Sequence, residues 1–104
     1  MNAKFQNIIS SNRPVLVDFY ADWCGPCKLM PPILKEVKDE LKDNVRIIKV
    51  NVDKNPFIAT LYQVRSIPTL ILFKNGTPQW TGVGVKNAGE IKSVIRQQLD
   101  GINP

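Results

Sequence analysis

Two thiols lie close together in a chain that has no histidine: Cys24 and Cys27, within Trp23-Cys24-Gly25-Pro26-Cys27-Lys28. Thiol–disulfide exchange needs this arrangement, a thiolate that attacks and a second thiol near enough to resolve the mixed disulfide. The pair falls at a change of pattern. Val15-Leu16-Val17-Asp18-Phe19-Tyr20 before it is apolar and β-branched or aromatic, and Leu29 onward has the spacing of an amphipathic helix. A thiol at a helix start lies over unpaired amides and the positive dipole end, which stabilise a thiolate. Cys24 is therefore expected to be the nucleophile. Cys27, one turn inside and shielded from solvent, is expected to resolve. Gly25-Pro26 restricts the loop and leaves little side chain to block access.

Other chemistries fit less well. Two thiols and no histidine cannot complete a tetrahedral zinc site unless a second chain or carboxylates supply the rest. A bond across so short a loop would contribute only about 2 kcal/mol, so stapling the fold is a poor use of the pair. Inert buried cysteines do not call for Gly-Pro between them.

Asp18 is the second signal. An ionised carboxylate in an apolar strand is costly to bury, so Asp18 is expected to be partly buried with a raised pKa. It could reach the underside of the pair, take the proton from Cys27 and return it in the reverse direction. An aspartate on a strand exposed on one face would show the same local pattern. Lys49, in the middle of the next apolar strand, is its natural charge partner. At Ile67-Pro68-Thr69 a proline opens a strand, a tolerated position, and the pattern says only that the chain bends there.

The elements that must position these groups follow from periodicity. The 104 residues, 43% hydrophobic, read as one globular domain spanning 1–104. A short amphipathic helix is expected over 2–11, an interior strand over 15–21, and a helix over 24–43 bent near Pro32. A second strand, 45–52, follows by a right-handed parallel crossover. A short helix over 57–62 precedes a strand at 69–74. Asn75-Gly76 is a hairpin signal, so Thr77 to Val83 should pair antiparallel as the fourth strand. Asn87 and Glu90 mark the start of a closing helix that runs to Asp100-Gly101.

The charge of +5 is scattered, without basic blocks or interleaved aromatics, which fits a solvated surface and not nucleic-acid binding. No run is long and apolar enough to span a membrane. The start, Met1 to Gln6, lacks the apolar core of a signal peptide, so a reducing cytoplasm is expected.

With the Trp-Cys-Gly-Pro-Cys-Lys segment, Asp18 and Ile67-Pro68-Thr69 all in place, the chain resembles the thioredoxin family. Val17-Asp18-Phe19, Pro32, Lys49, Asp53, Phe73-Lys74-Asn75-Gly76 and Gly84 also match the family pattern in order and spacing. The resemblance implies an α/β thioredoxin fold and a protein-disulfide reductase with no bound cofactor, its redox group being the Cys24–Cys27 disulfide. It implies a cis Ile67–Pro68 bond against the cysteines, where the Ile67 backbone would pair with an extended client segment. Trp23, Gly25, Pro26, Ile67, Pro68, Val83 and Gly84 would form a flat docking surface. Partners would be disulfide-containing clients and a thioredoxin reductase, usually an NADPH-dependent flavoenzyme, with the chain itself a monomer. Three departures are visible. The chain starts near the first helix and lacks the family's extra N-terminal strand. The expected sheet is therefore mixed and four-stranded, in order 2-1-3-4, flanked by about four helices, with the second strand at an edge. Tyr20 stands where the family usually has tryptophan, and Ser66 where a glycine is common. An oxidase or isomerase, or a binding module that only needs the reduced dithiol, would share these motifs.

Overall fold

The computed structural model describes residues 2–99. The apolar run Val15–Tyr20 forms strand β1, and all but its last residue are buried. β2 (Arg46–Asn51) pairs with it in parallel, setting Val15 opposite Arg46 and Asp18 opposite Lys49. On the other side β3 (Thr69–Lys74) runs antiparallel to β1, and β4 (Thr77–Val83) antiparallel to β3. The order β2-β1-β3-β4 is the one expected from the sequence. β2 is an outer strand, with Arg46 and Lys49 exposed. The hairpin turn between β3 and β4 has positive φ at both Asn75 and Gly76, the conformation that selects Asn-Gly.

Side chains alternate along the strands and divide the core in two. Leu16, Leu70 and Leu72 face helices α2 (Met30–Leu41) and α4 (Ala88–Arg96), packing on Met30, Leu34, Val37, Ile91 and Ile95. Val15, Val17, Phe19, Ile71 and Phe73 face α1 (Asn2–Ile9) and α3 (Pro56–Leu61). Phe5, Tyr62 and Phe73 meet there with ring centroids 5.0–5.9 Å apart. Full burial of such a side chain is worth about 1.5–3 kcal/mol, so these two layers hold the sheet in place. Asp18 lies in phase with Leu16, at a position the alternation reserves for an apolar side chain.

The helix expected over 24–43 is divided. A 3₁₀ turn, Pro26–Leu29, leads into α2, and a second one, Lys42–Asn44, follows it. Proline density explains the division. Pro26 opens the 3₁₀ turn and Pro31-Pro32 occupy the first turn of α2, where no intrahelical N–H bond is lost. The 3₁₀-to-α junction thus lies before Met30, upstream of Pro32. β1, β2, α1 and α3 differ from expectation by a residue or two at their ends, where capping decides. Asn87 caps α4 by accepting from the Glu90 N–H at 2.8 Å. The helix ends at Arg96, and the expected stop at Asp100-Gly101 lies outside the described residues. Among the described residues no helix is long and apolar enough to cross a membrane.

Candidate active site

Cys24 and Cys27 are joined as a disulfide, their Cα atoms 5.3 Å apart, where β1 gives way to the 3₁₀ turn. The Cys27 N–H donates to Cys24 Sγ at 3.2 Å. This is the contact anticipated for an attacking thiolate at a helix entry, delivered by a 3₁₀ turn instead of an α-helix. The expected difference in exposure is absent in the disulfide state: Cys24 is 3% and Cys27 5% exposed. The neighbours Trp23, Gly25 and Pro26 form the exposed rim, and both sulfurs sit beneath it.

Two other loops complete the rim. The Ile67–Pro68 bond is cis, as the family resemblance implied, and the Ile67 carbonyl oxygen lies 3.8 Å from Cys24 Sγ. The sulfur carries no proton in the disulfide, so this contact becomes a hydrogen bond only on reduction. Gly84, at φ +88°, donates its N–H to the Pro68 carbonyl at 2.8 Å and binds the end of β4 to this loop. Ile67, Pro68, Val83 and Gly84 thus form a strip beside Cys24, and Val83 is exposed. Trp23 is 71% exposed yet anchored, its Nε1–H donating to Asp53 Oδ2 at 2.8 Å. Asp53 is held in turn by Asn51, whose Oδ1 accepts from the Asp53 and Lys54 amides. A groove of about 340 Å³ continues from Trp23 and Ile67 over Val52, Val64, Arg65 and Ser66. Sequence reasoning missed Val52, Val64 and Arg65, because nothing local marks residues from separate loops as one lining. Asp53 was visible as a family match without a task.

Beneath the disulfide a cavity of about 150 Å³ joins Asp18 to Cys27, with Tyr20, Asp22, Lys28 and Lys49 also on its walls. Asp18 is 1% exposed, more deeply buried than the sequence implied, and its Oδ1 has no hydrogen-bond partner. Desolvation pushes its pKa up to about 6, and the Lys49 charge pulls the other way. Lys49 acts on Asp18 through its charge, while its ammonium sits 4.7 Å from the centre of the Tyr20 ring. An unpaired buried carboxyl facing a cysteine across a small cavity can exchange a proton with it. Among the described residues no group of three or more His, Cys, Asp or Glu side chains is placed to hold a metal ion.

The thioredoxin family model matches residues 1–97. A thioredoxin of Rickettsia felis is 44% identical over 94 residues, covering 90% of this chain and 90% of that one. The bifunctional thioredoxin reductase/thioredoxin of Mycobacterium leprae is 44% identical over 100 residues, 96% of this chain and 21% of that protein. The solved structure of a point mutant of the Halobacterium salinarum thioredoxin superposes with a TM-score of 0.85 at 34% identity, covering 94% of this chain and 85% of that one. A cysteine pair bonded at the mouth of this fold is a redox centre, and the chain belongs to the thioredoxin family as a thiol–disulfide oxidoreductase.

Proposed function

We propose that the protein works in the reducing direction, transferring two electrons from its dithiol to disulfides of client proteins. The observation that carries this reading is that the two sulfurs face different surroundings: Cys24 the Ile67 carbonyl on the docking strip, Cys27 the Asp18 cavity. A client segment would lie extended along Ile67 and Pro68, flanked by Trp23, Gly25, Pro26, Val83 and Gly84. The Cys24 thiolate attacks one client sulfur, forms the mixed disulfide and expels the other client sulfur as thiolate. Cys27 then gives its proton to Asp18 and attacks Cys24 Sγ. The bond from Cys24 to the client breaks, the second client thiolate leaves, and the Cys24–Cys27 disulfide is restored. Lys49 favours the carboxylate of Asp18 and so keeps it available as the acceptor.

A flavin-dependent thioredoxin reductase using NADPH would return two electrons to the pair. The Mycobacterium leprae relative, whose name joins a reductase to a thioredoxin in one chain, supports that partner. The reading assigns the protein to the cytoplasm as a monomer without a bound cofactor, since a reductant of this kind works where thiols are kept reduced.

The test is reduction of insulin with an excess of small dithiol. The wild-type chain should accelerate it, and Cys24→Ser should fall to the uncatalysed rate. Turnover by Cys24→Ser close to wild type would sink the assignment.

A further inference from the structure

We propose that Tyr20 is a positioning residue for the resolving step: its ring holds the Lys49 ammonium at the rim of the Asp18 cavity and thereby keeps Asp18 ready to accept the Cys27 proton. The inference rests on the role proposed above for Asp18. The geometry behind it is specific. Tyr20 follows Asp18 by two residues, so both side chains lie on the same face of β1. The parallel register sets Lys49 directly opposite Asp18 and Asn51 opposite Tyr20. Lys49 therefore starts level with Asp18, and its Nζ comes to rest 4.7 Å from the Tyr20 ring centroid. All three residues line the one cavity that also opens on Cys27.

Lys49 needs such a hold. It lies exposed on an outer strand, its long side chain is flexible, and its ammonium is strongly hydrated. Left to solvent, that charge would spend its time away from a buried carboxyl whose Oδ1 has no hydrogen-bond partner. An aromatic face attracts the cation through its quadrupole and localises it without neutralising it. A carboxylate in the same place would pair with the charge and weaken its action on Asp18. The other charged groups facing the cavity are Asp22, from the loop after β1, and Lys28, from the 3₁₀ turn. Pro31 of α2 brings no charge, and neither does Leu70, opposite Asp18 on β3.

The consequence concerns the proton. As Cys27 turns nucleophile, Asp18 passes from carboxylate to acid, and it returns the proton to solvent once the disulfide has closed. A cation fixed at the rim favours the carboxylate beforehand and after. Releasing it leaves desolvation less opposed, so that Asp18 holds its proton to higher pH and resolution slows near neutrality. The tyrosine hydroxyl plays no part in this account, only the ring.

The experiment reads the titration of Asp18 in the oxidised protein, from the ¹³C shift of its carboxyl, alongside the pH profile of mixed-disulfide resolution by rapid quench. Tyr20→Leu and Tyr20→Met, which fill space without a ring, should each raise the Asp18 midpoint by on the order of half a pH unit. The resolution profile should move with it. Tyr20→Phe should leave both near wild type. Lys49→Gln should raise the midpoint at least as far, and adding Tyr20→Met to Lys49→Gln should then change little, the mark of one shared interaction. A midpoint unmoved in both ringless variants, or an equal displacement in Tyr20→Phe, overturns the proposal. So does simple addition in the double variant. If Leu proves unstable, Met carries the same test. The titration needs no client, so failure here is distinct from failure of the insulin assay.

Discussion

Glu40 and Asp18 are both carboxylates on the α2–α4 side of the sheet, but their surroundings are opposite. Glu40 projects from α2 toward α4, where it accepts from Lys92 Nζ at 2.8 Å and from the Arg96 guanidinium, while Glu36 lies 3.6 Å from the same lysine. The hydrogen bond from Lys92, and then that from Arg96, hold the Glu40 carboxyl below its usual range. Asp18 has no such partner at Oδ1, lies under the disulfide, and is pushed upward by burial. Paired charges sit where water screens them and link two helices. The carboxyl without a hydrogen-bond partner sits where burial costs most, beside the cysteine pair. A group kept there at a cost to the fold is a candidate for chemistry, and the proton-acceptor role proposed for Asp18 would account for it.

Removing the buried charge should have the largest effect. Asp18→Asn is expected to slow mixed-disulfide resolution by about a hundredfold or more while leaving the first attack near wild type, as rapid quench would show. An unchanged resolution rate would end the comparison. Stability should move the other way. Because the folded-state pKa of Asp18 is raised from 3.8 to about 6, its contribution is fully present below the lower value and is lost as pH rises through the higher one. Asp18→Ala should therefore be more stable than wild type at pH 8, by up to about 3 kcal/mol, with the difference shrinking toward pH 4. Urea titrations at the two pH values measure this.

A smaller effect is expected from Lys49→Gln. Resolution at neutral pH should slow severalfold and recover at higher pH, since the acceptor survives and only its charge partner is lost. The least effect should come from the surface. Glu40→Gln should leave insulin reduction unchanged and lower Tm modestly, with high salt erasing the difference. A salt-insensitive loss there would mean that Glu40 does more than bridge α2 and α4.

Much of this arrangement was legible because the relevant residues break a pattern. Asp18 and Lys49 interrupt apolar strands, Asn75-Gly76 punctuates two of them, and the unbroken apolar run before the cysteines marks an interior strand. The parallel crossover and the hairpin followed from pattern, whereas the strand order 2-1-3-4 came from the family resemblance. The start of α2 was not legible, because four prolines between Pro14 and Pro32 leave the choice between 3₁₀ and α geometry to tertiary packing. The burial of Cys24 was hidden as well, since it depends on the Ile67 loop, distant in sequence. The cis geometry at Pro68 came from resemblance alone. The Glu40–Lys92–Arg96 cluster and the Val52–Val64–Arg65 wall span separate segments and leave no local trace.

The outer position of β2 has a colloidal consequence. Its six residues carry Arg46 at the start and Lys49 in the middle, both exposed, on the strand that borders the sheet. Stacking a second copy along this border would crowd four cations onto one seam, in a chain already at +5. Mutual repulsion thus guards this border against edge-to-edge pairing of two copies at high concentration. Lys49 belongs to this guard as well as to the Asp18 cavity, so neutralising it removes a safeguard against self-association that neutralising a lysine on α2 would leave in place.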